Sequence, residues 1–204
     1  MSFLQSTSIF ETIIFLLSIL VAISIHEYAH AATAVYFGDD TPRLMGRDTV
    51  NPLAHIDPWG AVFFLIAGFG WGKPVIINPM RFSKRIHELY SSLAGPLSNL
   101  LFALVLNLII MAVSKYGLPD SLIQTFSQLS MVNISLAAFN IIPIPPLDGS
   151  SILDYFYPGY KTFGAQYGIF ILILFLIIPG PGGSLLTSIL TPIFNLFRFI
   201  TLGG

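Results

Sequence analysis

Ser24-Ile25-His26-Glu27-Tyr28-Ala29-His30 sits inside an apolar run that begins near Ile9 and continues past Ala34. Read as helix, residues four apart share a face, so His26 and His30 present their imidazoles to one point, where a single metal ion fits. Glu27 stands beside the first of them, placed to reach a water on the metal rather than the metal itself. Neutral imidazoles suit zinc, and a histidine pair leaves a third protein ligand to be found elsewhere. The plain alternative is a buried polar turn, hydrogen-bonded and silent. Three ionisable groups in one turn of a membrane helix are costly without a partner, which favours the metal.

The surroundings of the motif are consistent with lipid. The chain has 204 residues, 54% hydrophobic and only 9% charged, with a mean hydropathy of +0.80. A soluble domain carries about 25% charged residues. The expected fold is therefore an all-α polytopic membrane protein in the lipid bilayer, one domain over residues 1–204. A net charge of −1 offers no basic surface, so nucleic acid is not an expected partner. There is no cysteine, and a metal site must draw on His, Asp, Glu or water. The N-terminus lacks a basic region and its first apolar run carries the motif, so it is not read as a cleaved signal.

Outward from the motif, the first span covers about Ile9 to Val35, and His26 lies roughly 14 Å from its end. Gly38-Asp39-Asp40-Thr41-Pro42 closes it. Arg43 to Trp59 is too polar to span and reads as a short hairpin at the interface. Pro58 to Gly72 is apolar but short for a crossing, and reads as a re-entrant piece flanked by the interface anchors Trp59 and Trp71. Lys73 to Glu88 lies outside the hydrocarbon. Leu89–Val113 and Leu122–Ile142 are further long spans. Small residues in Ala94-Gly95-Pro96-Leu97-Ser98-Asn99 allow another helix close approach. Gly164–Ile178 and Leu185–Ile200 read as two more, giving five to six spans: a core over about residues 9–155 and two additions over 164–201. With the N-terminus outside, Arg43, Arg47, Lys73, Arg81, Lys84, Arg85, Lys161 and Arg198 fall inside and only Lys115 outside. The histidine pair then lies nearer the cytoplasmic side of a cell membrane.

Asp148 is the expected third ligand. Its segment, Pro143-Ile144-Pro145-Pro146-Leu147-Asp148-Gly149, breaks the third span, and irregular backbone at that depth is tolerated only against protein or a water-filled cavity. Asp148-Gly149 taken alone is a plain turn; the unfinished histidine site elsewhere in the membrane makes it a ligand. Asp154, farther from the proline break, ranks second. His55 is weighed as a fourth ligand or substrate gate and reads rather as a hydrogen-bonded loop residue. His87-Glu88 reads as a solvated helix start. Arg81, Lys84 and Arg85 are orientation determinants and headgroup contacts.

His26-Glu27-Tyr28-Ala29-His30 together with Asn140 through Gly149 resembles the site-2 protease family of intramembrane zinc metalloproteases. That family pairs the histidine motif on one core helix with an Asn-x-x-Pro-x-Pro-x-Leu-Asp-Gly-like segment on another. Asn51–Pro58, Gly70–Val75 and Gly95–Asn99 also resemble its compact prokaryotic members. The resemblance implies Zn2+ on His26, His30 and Asp148, Glu27 as catalytic acid/base, and transmembrane-helix proteins as substrates. Asn140 would hydrogen-bond the substrate backbone or the developing oxyanion, or else brace neighbouring helices. An unwound substrate would need a strand edge, and Met45–Val50 and Ile142–Leu147 are the expected places. Two rivals stand beside this reading: a metal-ion transporter, which needs a polar path to both faces, and a non-catalytic membrane scaffold, which has no use for Glu27.

Overall fold

Among the described residues, three helices are long and apolar enough to cross a membrane: α1 (Ile9–Tyr36), α5 (Ile86–Ser114) and α6 (Asp120–Asn140). Among the described residues, α2 (Thr41–Leu44), α3 (Pro52–His55), α4 (Pro58–Ala67) and a 3-10 turn at Pro79–Arg81 lie between α1 and α5. After α6 come α7 (Asp148–Phe156), α8 (Tyr160–Ala165), α9 (Gly168–Ile177), a two-residue hairpin of β1 (Pro179–Gly180) and β2 (Gly183–Ser184), and α10 (Leu185–Leu202). The computed structural model describes residues 9–67, 70–114, 116–117, 119–181 and 183–202. Lys115, the one cation expected outside, lies beyond them.

The bundle is built for lipid. Its buried residues are mostly small or polar: Ser18, Ala22, Ser24, Ala31 and Ala34 on α1, Ser91, Gly95, Asn99 and Ala103 on α5, Ser130, Asn133 and Ala137 on α6, with Leu89, Leu106 and Ile134 as large apolar exceptions. Large apolar side chains such as Leu17, Leu101, Leu108 and Met111 point outward instead. With tails as apolar as leucine outside, helices associate through close packing and interhelical hydrogen bonds rather than hydrophobic expulsion. The close approach expected of residues 94–99 is met: Asn99 Nδ2 donates to the Ala22 carbonyl of α1 at 2.9 Å.

The hairpin expected over Arg43–Trp59 is not there. Pro42 and Pro52 each stand in the first turn of a short helix, where the missing N–H costs nothing, and Asn51 caps α3 by accepting from Leu53 N at 3.1 Å. The β pairing in this region is a single antiparallel bridge, Ile56 to Gly72. That bridge brings both ends of the α4 excursion together. A Cβ on Gly60 would lie 2.0 Å from the Trp71 carbonyl, so the chain returns against its own outgoing turn. Ten residues of helix reach about 15 Å, about half the hydrocarbon thickness.

At the other end, the stretch expected to form a fourth span is divided. Gly168 packs so tightly on the Pro145 carbonyl that a Cβ there would lie 1.9 Å away, and the helix restarts at that residue as α9. Ile142, Leu147 and Leu186 form a small buried cluster with Phe139, Leu172 and Leu190 around it. Here α9 and α10 brace the irregular loop that carries Asp148.

Candidate metal centre

His26 and His30 lie on the inward face of α1, ten and six residues before its end at Tyr36. Asp148 opens α7, just beyond the proline break that follows α6. The three side chains converge. Nε2 of His26 and Nε2 of His30 are 3.0 Å apart, and Oδ2 of Asp148 is 3.1 Å from the first and 3.2 Å from the second. Tetrahedral zinc with bonds of about 2.0–2.1 Å spaces its ligand atoms by about 3.3 Å. The triangle is close to that size. Among the described residues it is the group of His and carboxylate donors that fits one ion.

The other ring nitrogens decide what these atoms carry. His30 Nδ1 is 2.6 Å from the Ser91 carbonyl, which can only accept, so Nδ1 carries a proton and, in the neutral ring, Nε2 is the atom left for a metal. His26 Nδ1 is 2.7 Å from Asn99 Oδ1 and is protonated likewise. With both rings neutral, two nitrogen lone pairs and a carboxylate oxygen then face one point. A divalent metal satisfies all three, whereas one proton serves a single pair.

Room for the ion comes from α5. A Cβ on Gly95 would lie 2.3 Å from His30 Nε2 and 2.7 Å from His26 Cε1. The next residue, Pro96, offers no N–H to the turn before it, and that stretch of α5 also supplies the Ser91 carbonyl to His30. Glu27 is half-buried beside the triangle and does not belong to it. Its Oε2 accepts from Val75 N at 2.9 Å, which fixes the carboxylate next to the site.

The remaining candidates are engaged elsewhere. His55 is buried, gives Nε2–H to the Thr49 carbonyl at 2.8 Å and accepts Lys73 N on its own carbonyl, so it braces the loop. Asp154 accepts Lys161 N at 2.8 Å, and its carbonyl takes Arg85 Nη2 at 2.6 Å. His87 stacks on Phe37 with ring centroids 4.3 Å apart. Asn140 spends Nδ2 on its own helix, on the Leu136 carbonyl at 3.0 Å. Neither expected strand edge is extended: residues 45–50 turn through Gly46, and residues 142–147 are held by short-range bonds such as Leu147 N to the Ile144 carbonyl. The non-helical run at the site is instead 72–78, through Val75. A backbone N–H leaves no mark in a sequence, so Val75 was not legible. The buried amides Asn99 and Asn133 carry a signal that could have found them, as polar residues in apolar spans, but the sequence reading does not single out either as part of the site.

A family model described as Peptidase family M50 matches residues 14–130 and 119–178. The chain is 37% identical over 174 residues to "Putative zinc metalloprotease YwhC" of Bacillus subtilis, a match covering 80% of each protein. It is 29% identical over 171 residues to "Putative zinc metalloprotease Rip2" of Mycolicibacterium smegmatis, covering 78% of this chain and 65% of that one. No solved structure matches.

Proposed function

The chain belongs to Peptidase family M50, the site-2 protease family, and from that membership we propose that it is a zinc-dependent endopeptidase cutting within or beside the transmembrane helices of other membrane proteins. The observation that carries this reading is the triangle of His26, His30 and Asp148 with Glu27 held alongside and outside it. Zinc held there would act as a Lewis acid toward the scissile carbonyl and make a nearby water more acidic. Glu27 takes the proton of the attacking water and returns it to the leaving amine. The Val75 N–H keeps that carboxylate in place, and Gly95 leaves space for the reacting atoms. Asn140 lies at the end of α6, where a change of rotamer would turn its amide from Leu136 toward a substrate carbonyl. A helical substrate hides its carbonyls and must unwind before it is cut.

In this reading residues 9–155 are the catalytic core of a single membrane domain and residues 164–201 brace it. With α1, α5 and α6 crossing and α4 re-entering, the Lys and Arg distribution puts the site nearer the cytoplasmic side. The test is reconstitution in lipid vesicles with single-span membrane proteins as probes, the fragments being mapped by mass spectrometry. New termini inside or next to the span are expected. Cleavage confined to water-exposed tails would overturn the intramembrane reading, and zinc flux without cleavage would favour the transporter.

A further inference from the structure

Asn133 lies within α6 and its hydrogen bonds go to Asn99 and Leu129 rather than to the metal triangle, yet it is fully buried and bonded toward it. We propose that Asn133 is a positioning residue that sets the tautomer of His26 through Asn99, and thereby the affinity of the site for zinc. The inference rests on His26, His30 and Asp148 holding the metal.

The chain of bonds has one direction. Asn133 Nδ2 donates to the Leu129 carbonyl at 2.7 Å, and a carbonyl can only accept. The other end of that amide, Oδ1, therefore faces Asn99, whose Nδ2 donates to it at 2.7 Å. The second Nδ2 hydrogen of Asn99 goes to the Ala22 carbonyl at 2.9 Å. Both amide hydrogens are thus committed, and only Oδ1 of Asn99 remains for His26, 2.7 Å from Nδ1. An amide oxygen accepts, so His26 carries its proton on Nδ1 and offers a bare Nε2 to the metal. Flipping the Asn99 amide would put its oxygen against two acceptors, Asn133 Oδ1 and the Ala22 carbonyl. With Asn133 in place, the wrong tautomer costs two hydrogen bonds at once; without it, one. Partners of this kind around a ligating histidine are worth about 10–100-fold in metal affinity.

The relay also joins α1, α5 and α6, so a purely structural role must be separated from it. Asn133→Leu removes the acceptor at similar volume. Asn133→Asp, buried and neutral, keeps both functions: its carbonyl accepts from Asn99 and its hydroxyl donates to Leu129. Two readouts are needed on the full-length protein in detergent. The first is zinc affinity by competition with a chelator. The second is the imidazole nitrogen chemical shifts of His26 in metal-free protein on a shared Asp148→Ala background, which removes the carboxylate 3.1 Å from Nε2, at a pH where the ring is neutral. The expected results are an Nδ1–H tautomer with Asn133 intact and in Asn133→Asp, a mixture in Asn133→Leu, and zinc bound about 10-fold more weakly by Asn133→Leu alone. An Nε2–H tautomer with Asn133 intact would overturn the proposal. So would an unchanged tautomer in Asn133→Leu, or equal loss of zinc in both variants. The expected tautomers together with a wild type that binds no zinc would leave the relay standing and defeat the metal reading instead.

Discussion

Hydrolysis by the Glu27→Gln protein is expected to fall by about 10²–10⁴-fold while zinc stays bound. The separation of the two effects follows from the geometry. Glu27 is not one of the three converging donors, and its Oε2 is held by Val75 N at 2.9 Å. Glutamine has the same shape, and its amide oxygen still accepts that N–H, so the surroundings of the triangle are preserved. What the amide cannot do is take a proton from water. Rates on a cleavable membrane-protein probe and zinc content, measured on the same preparations, check both halves. Full cleavage by Glu27→Gln would defeat the mechanism, and loss of zinc would make Glu27 a ligand rather than a base.

The second large effect is expected at Gly95, where alanine should weaken zinc binding and cut hydrolysis by about 10²-fold or more, the scale of a misplacement of about 1 Å at a reacting centre. The added Cβ would stand 2.3 Å from His30 Nε2 and 2.7 Å from His30 Cε1. Something must move, and the obstacle is the tip of a ring rather than backbone. The helices keep their packing and the ligand yields. Gly149 is the contrast: a Cβ there meets the Ile141 and Ile142 carbonyls at 2.2 and 2.4 Å, so the turn itself would be broken. Metal-free thermal unfolding should therefore be little changed in Gly95→Ala although its zinc affinity falls. Wild-type zinc affinity in Gly95→Ala would show that α5 does not line the site.

Much of the site was legible because its chemistry has a spacing. His26 and His30 are one helical turn apart, and Asp148 follows a proline break that only a polar or protein-lined environment tolerates. The long helices α1, α5 and α6 were legible from apolar length, with ends within a few residues of those expected. Other features depend on how distant parts of the chain meet. Nothing local to Gly168 says that its backbone rests on the Pro145 carbonyl, and the stretch expected as a span over Gly164–Ile178 holds the end of α8 and then α9, which begins at Gly168. Pro42 reads as the close of the first span and the polar Arg43–Trp59 stretch as a hairpin, but proline fits a first helical turn as well as a bend, and here Pro42 and Pro52 start α2 and α3. The amides of Asn99 and Asn133 were visible as polar residues in apolar helices; their register against His26 exists only once three helices pack.

The central claim is that His26 and His30 on α1 and Asp148 on α7, more than a hundred residues away, form one zinc site. It is tested most directly by zinc bound per protein after mild chelator washing, in wild type against Asp148→Ala. Close to one zinc in the wild type and little in the variant is the predicted result. Equal zinc in both would show that Asp148 does not complete the site, whatever its distance from the two histidines.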